Sequence, residues 1–297
     1  MKYQKAISIL VYTITILAIA ATSIAIFSNQ GPGEYKHYSI YGESVAIYGR
    51  GLYQHDSAAM AAQAIAQDYV TLFLAIPLLL VSLYMTRKGK IRGKLLLAGT
   101  LGYFLYTYAS YSFLSMYNSL FLVYVSLMSV SFYAFVLVMM SFDIPSLPLF
   151  FSNKLPIKLI GIFLIFLSVV FSLMWLGKIV PSLIDRTPPD GLQHYTTLVI
   201  QALDLGFVIP LGILAGVLLM KRKPFGYLLS SMMIIKELTL LTALSAMVLF
   251  QILAGIEVLM IIFWTILLIN LLVVYLIFLI LKNIREPILN GPTNISA

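Results

Sequence analysis

The chain has no cysteine, and only 10% of its 297 residues are charged. The first absence excludes disulfides, thiol redox chemistry, cysteine–zinc sites and iron–sulfur clusters. The second excludes an ordinary soluble domain, in which roughly a quarter of the residues carry charge. Histidine is scarce as well. His37, His55 and His194 show no HxH or HExxH spacing, so no metal is expected. No Walker loop, GxSxG elbow or dinucleotide fingerprint is present, and no cofactor is expected.

What is there is apolar. Hydrophobic residues make up 61% of the chain, and the mean hydropathy is +0.99. Such a chain cannot cover its own surface with polar groups, so lipid must solvate much of it. The net charge of +8 does not form a nucleic-acid face. The basic residues cluster in short loops between apolar runs, which is the pattern of membrane orientation.

Eight runs approach the ~20 residues that a bilayer requires. They cover 6–28, 69–86, 95–116, 119–141, 158–177, 198–220, 226–250 and 257–281. The fold class read from them is all-α, a polytopic membrane protein of about eight transmembrane helices. Lys2 and Lys5 precede the first run, and Arg87 to Lys94 join the second and third. Lys154 and Lys158, Lys221 to Lys223, and Lys282 with Arg285 follow at later loops. All fall on one side if every run spans. The positive-inside rule makes that side the cytoplasm, with both termini inside and the chain in a cell membrane. The first run has the basic start of a secretory signal, but its apolar core is long for one.

Two longer segments lie on the other side. In 29–68, alternation around Gly42-Glu43-Ser44 reads as a short hairpin. Residues 56–67 read as a small helix capped by Asp56 or Ser57, lying on the membrane or running into the second span. Residues 178–197, with Pro181, Pro188, Pro189 and Gly191, read as a turn-rich cap.

A shift of 133 residues lays LFLAIPLLL and its basic loop on LGFVIPLGI and its loop. Pro77 meets Pro210, Lys88 meets Lys221, Lys90 meets Lys223 and Gly93 meets Gly226. This suggests two parallel four-span halves, 1–146 and 147–297, with a site at their interface. Generic hairpin punctuation would give a similar frame.

The candidate centre is in SSMMIIKELTLLTAL, residues 230–244. Lys236 stands about ten residues into its run, ~15 Å from the cytoplasmic end. A charge at that depth costs at least ~2.5–3.5 kcal/mol, so it needs a partner, water or neutralisation. Glu237 is adjacent in sequence, but neighbouring helical residues do not face each other. Asp204 on the sixth run is offset by on the order of 9 Å along the axis. Asn270 on the eighth lies near the depth of Lys236. Under the repeat, Tyr103 is the counterpart of Lys236. Lys236, Glu237, Asp204, Asn270 and Tyr103 are therefore the expected ligand or ion site. A polar knot that only locks the helices is the bland alternative.

Pro77 and Pro210 sit mid-span, where a lost hydrogen bond can build a hinge or only a static kink. Tyrosines and serines of the third and fourth runs can line a pocket or simply pack the helices. His55, Asp68 and His194 form a candidate external gate. The function these features suggest is binding, and moving, a small solute, ion or lipid near Lys236. An intramembrane enzyme on a lipid-like substrate and a non-catalytic partner or sensor subunit are the alternatives. The bilayer is the partner expected from composition; nucleic acid is not.

Overall fold

A backbone in hydrocarbon has no water to bond, so each apolar run must satisfy its N–H and C=O groups internally, as a helix does. The computed structural model, which describes residues 2–286, follows this rule. Among the described residues, 72% are helical and the sheet is a single short hairpin, so the class is all-α.

The helices run α1 (Gln4–Phe27), α2 (Ala58–Val70), α3 (Ile76–Arg87), α4 (Ile91–Leu114), α5 (Phe121–Met140), α6 (Ile157–Asp185), α7 (Val199–Leu203), α8 (Ile209–Met220), α9 (Pro224–Leu253) and α10 (Met260–Lys282). A wide π turn, Thr71–Ala75, fuses α2 to α3, and another, Asp204–Val208, fuses α7 to α8. The hairpin pairs β1 (Tyr35–Tyr38) with β2 (Ser44–Ile47), Tyr38 opposite Ser44. The residues at 56–67 run straight into the second span. Ser57, not Asp56, caps that helix, its hydroxyl accepting from the Met60 N–H at 3.2 Å. Helix α6 continues through Pro181 to Asp185, so part of the expected cap is helix instead.

Among the described residues, seven helices are long and apolar enough to cross a membrane. The exception among the eight expected runs is α4. It is 24 residues long, but tyrosine, serine and threonine dilute its hydropathy. Its position explains the composition. It packs against α3, α5 and α9, and a helix screened from lipid by its neighbours can carry hydroxyls that they satisfy. Helix α9 is the other central helix, packed on α2, α4, α8 and α10.

The two fused helices share a detailed local plan at the 133-residue offset. In each, the proline is the second residue after the wide turn, Pro77 and Pro210. A proline lacks the N–H of a normal turn, and its ring crowds the carbonyl four residues back; a wider turn relieves both. Helix α3 ends with Gly89 at φ 75°, its N–H donating to Thr86 O and that of Lys90 to Met85 O. Helix α8 ends the same way on Arg222 at φ 55°, with Arg222 N–H to Leu219 O and Lys223 N–H to Leu218 O. Both are Schellman caps. Gly93 then approaches Met85 and Thr86, and Gly226 approaches Leu218 and Leu219, so closely that a Cβ would fall 2.3–2.6 Å from them.

Helices α4 and α9 meet at Gly99. A Cβ there would lie 2.5 Å from Ile235 Cβ and 2.9 Å from Met232 O. Met232 is the residue 133 positions on. Further up, Gly102 lies beside Lys236. The two helices therefore run parallel. At the far end of the bundle, Glu286 accepts from the N–H groups of Ile91 (2.7 Å) and Arg92 (3.2 Å), and so caps α4. A carboxylate there also meets the positive end of the helix dipole.

Candidate functional site

Lys236 and Glu237 are both 4% exposed. They bond each other: Lys236 Nζ lies 3.2 Å from Glu237 Oε1. The sequence reading pointed them to different helices. The structure shows why adjacency suffices. The lysine stem passes Gly102 of α4 while its ammonium still meets Glu237, and away from water two long chains meet more favourably than either would stand alone. Lys236 Nζ also sits 4.7 Å from the centre of the Tyr106 ring, a cation–π contact. Tyr106 Oη donates to Asp204 Oδ1 at 2.8 Å, and Trp175 Nε1 donates to Asp204 Oδ2 at 2.9 Å. Asp204 thus reaches Lys236 only through Tyr106. The chain Glu237–Lys236–Tyr106–Asp204–Trp175 links α9, α4, the second wide turn and α6.

Asp204 is the first residue of its wide turn. Its counterpart, Thr71, is the first residue of the other. Tyr103 of α4 bonds Thr71 at 2.8 Å, as Tyr106 bonds Asp204. Two tyrosines one turn apart on α4 thereby hold both wide turns. Tyr103 does not join Lys236, contrary to expectation. Asn270 does not join it either: it donates to Thr242 Oγ1 at 3.2 Å, and its Oδ1 is buried without a partner. Tyr106, one of the third-run tyrosines expected to line a pocket, joins the charged centre instead, and Trp175 joins it with no role expected from sequence. The available signal was that each is an aromatic with a polar handle inside a span.

The first half holds a second polar cluster. Asp68 is 3% exposed. Tyr53 Oη donates to its Oδ2 at 2.6 Å, and Tyr111 Oη lies 3.3 Å from its Oδ1. Gln67 donates to Thr107 Oγ1 at 2.7 Å. Tyr108 and Tyr124 complete an aromatic stack, with ring centres 5.2–6.4 Å apart from Tyr53 through Tyr111 and Tyr124 to Tyr108. The Tyr108 and Tyr124 hydroxyls are buried without partners.

The external gate assembles differently from expectation. Asp68 lies below it, among the tyrosines. His194 meets the backbone of His55, Nε2 to the carbonyl at 3.1 Å, and its ring abuts that of His37. Burial and the neighbouring His37 hold His194 below the ordinary histidine pKa, against the pull of the His55 carbonyl. Asp56 is the residue that ties the cap together. Its Oδ1 accepts from Tyr195 Oη (2.9 Å) and from the Met116 N–H (3.1 Å), joining the loop before α7 to the α4–α5 loop. Burial pushes the Asp56 carboxyl up to about 6, although both hydrogen bonds oppose the rise. Nearby, Gly51, Leu52, Gln54, His55 and Tyr117 line an open hollow of about 360 Å³.

Chemically, the centre near Lys236 is a buried cation paired with a carboxylate on one side and an aromatic face on the other. Comparison with protein-family models, with curated proteins and with solved structures finds no match to this chain.

Proposed function

We propose that this membrane protein binds a small anionic solute, or an anionic lipid headgroup, at Lys236, and that the wide turns let the bundle move that ligand. The Lys236–Glu237 pair carries the reading. An intramembrane lysine held by its own neighbour, with an aromatic ring above it, is a cation whose partner can be replaced. Asp204, half-buried at the edge of the bundle, would sense that exchange through Tyr106. Pro77 and Pro210, each behind a wide turn, are the proposed hinges. The basic loops favour cytoplasmic termini in a cell membrane. The shared caps, prolines and glycine contacts favour a duplicated hairpin, with halves 1–146 and 147–297 meeting at α4 and α9.

The test is a thermal-shift screen of the full chain in nanodiscs against small anions and anionic lipids. Lys236→Met must abolish a shift that wild type shows. A double variant, Lys236→Met with Glu237→Gln, restores folding if the single variant leaves Glu237 unpaired. A ligand shift that survives in both variants sinks the reading.

A further inference from the structure

Asp68 stands apart from the centre near Lys236. It is the eleventh residue of a continuous 30-residue helical span, Ala58–Arg87, that is long and apolar enough to cross a membrane. At 3% exposure its carboxyl has left water. Among the described residues, the ion pairs are Arg92–Glu286 and Lys236–Glu237, and Asp68 is in neither. The titratable groups that face it are phenols: Tyr53 from the external segment, Tyr103, Tyr108 and Tyr111 from α4, and Tyr124 from α5. Helices α1 and α9 also pack on α2; the charged groups of α9, Lys236 and Glu237, are engaged with each other.

The hydrogens around Asp68 can be counted. Tyr53 has one hydroxyl proton, and it goes to Asp68 Oδ2 at 2.6 Å. Tyr111 has one, and it faces two acceptors, Ala64 O at 3.0 Å and Asp68 Oδ1 at 3.3 Å. The shorter and better contact takes it. The Oδ1–Oη contact then has no proton unless Asp68 supplies one. With a proton on Oδ1, every contact is filled: Asp68 O–H to Tyr111, Tyr111 O–H to Ala64 O, Tyr53 O–H to Oδ2. Without it, a carboxylate is buried with one strong donor and no counter-ion, which a low-dielectric interior penalises heavily. The unpartnered hydroxyls of Tyr108 and Tyr124 sit in the same stack, and Tyr124 lies within the field of both Asp56 and Asp68. Asp56, at the external cap, has its Oδ2 buried without a partner.

We propose that Asp68 is a proton-binding site, occupied by a proton in this conformation and exchanging it with the external side, from which Tyr53 reaches it. On release, the O–H bond of Asp68 breaks, the proton passes to water at the cap, and the carboxylate keeps the Tyr53 bond. The site is independent of the ligand reading at Lys236.

Infrared spectra of the full chain in nanodiscs, taken at pH 8 where Asp56 is ionised, test this. Wild type is expected to show the C=O stretch of a protonated carboxylic acid, and Asp68→Asn to lack it. Asparagine offers the same donor and acceptor as the protonated acid, so the variant should fold with a Tm close to that of wild type. A missing band in wild type, or an unchanged band in the variant, overturns the proposal. If Asp68→Asn does not fold, Tyr53→Phe replaces it: loss of that donor must move the band to higher frequency, and an unmoved band overturns the proposal. A Tm gain specific to sodium or potassium over choline, seen in wild type and not in Asp68→Asn, would instead make this a metal-cation site.

Discussion

In the first half, α1 packs on both α3 and α5, and the carboxyl of Asp68 ends up sealed among tyrosines. In the second half, α6 packs on α8 and α10 packs on α9, and Asp204 is left half-buried at the edge of the bundle. The wide turns, the prolines and the hairpin caps are alike in the two halves. What differs is what surrounds them. A closed wrap of helices excludes charge and leaves a lone acid with phenols for company. A looser wrap tolerates three ionisable groups, two of them paired with each other and the third bonded by Tyr106 and Trp175. The same backbone device is thus set in two electrostatic environments by the helices outside it.

The harshest way to break the comparison is to force the halves apart. Gly99→Val places a branched side chain where a single Cβ already meets Ile235 at 2.5 Å. Over-packing at such a crossing costs ~3 kcal/mol or more, and the expected outcome is failure to give a monodisperse folded protein. A variant that elutes and melts like wild type would mean that α4 and α9 are not the joint.

Next in size is Lys236→Met. Removing one partner of a buried pair costs ~3–5 kcal/mol, because the other charge stays behind. Thermal melts should show a large loss, with most of it recovered when Glu237→Gln is added. An equal loss in the double variant would mean that the lysine stem, not its charge, matters.

Asp56→Asn sharpens the comparison at the shared cap. The native carboxyl holds its proton up to about pH 6, whereas an unfolded aspartate loses it near ~3.9. The folded value is the raised one, so the Asp56 contribution is full below about pH 4 and lost as pH rises through about 6. The neutral asparagine should therefore be more stable than wild type at pH 7, by up to about 3 kcal/mol, and the gap should close towards pH 4. Parallel Tm-versus-pH curves for the two proteins would contradict this.

The smallest effect is expected at the caps. Gly89 takes the left-handed position freely, whereas Arg222 takes it at φ 55° with a side chain. Arg222→Gly should raise stability by about 1 kcal/mol, and Gly89→Arg should lower it by a similar amount. Chemical denaturation of the pair would show equal and opposite shifts if the two hairpin ends are equivalent.

Particular residues show what could be read early. Lys236 and Glu237 stood out at once, since charges inside an apolar run are costly wherever the chain folds. Their partners did not, because Tyr106 and Trp175 look like ordinary aromatics until another helix brings Asp204 to their polar edges. The surroundings of Asp68 are hidden for a different reason. The apolar run begins at Tyr69, where the hydropathy rises, but the alanine-rich stretch before it is already helix. Ten helical residues carry Asp68 from the rim into the interior.

By itself the sequence determined the medium, the class and most of the spans. Apolar runs of bilayer length have one workable backbone. It also marked Pro77 and Pro210 as places where the helix hydrogen bonding is interrupted, since proline acts on its own few neighbours. Only the tertiary structure decided which polar groups meet. A hydroxyl, an indole or a carboxyl inside lipid takes whatever partner the neighbouring helix offers, and that depends on rotations about helix axes that no local pattern records.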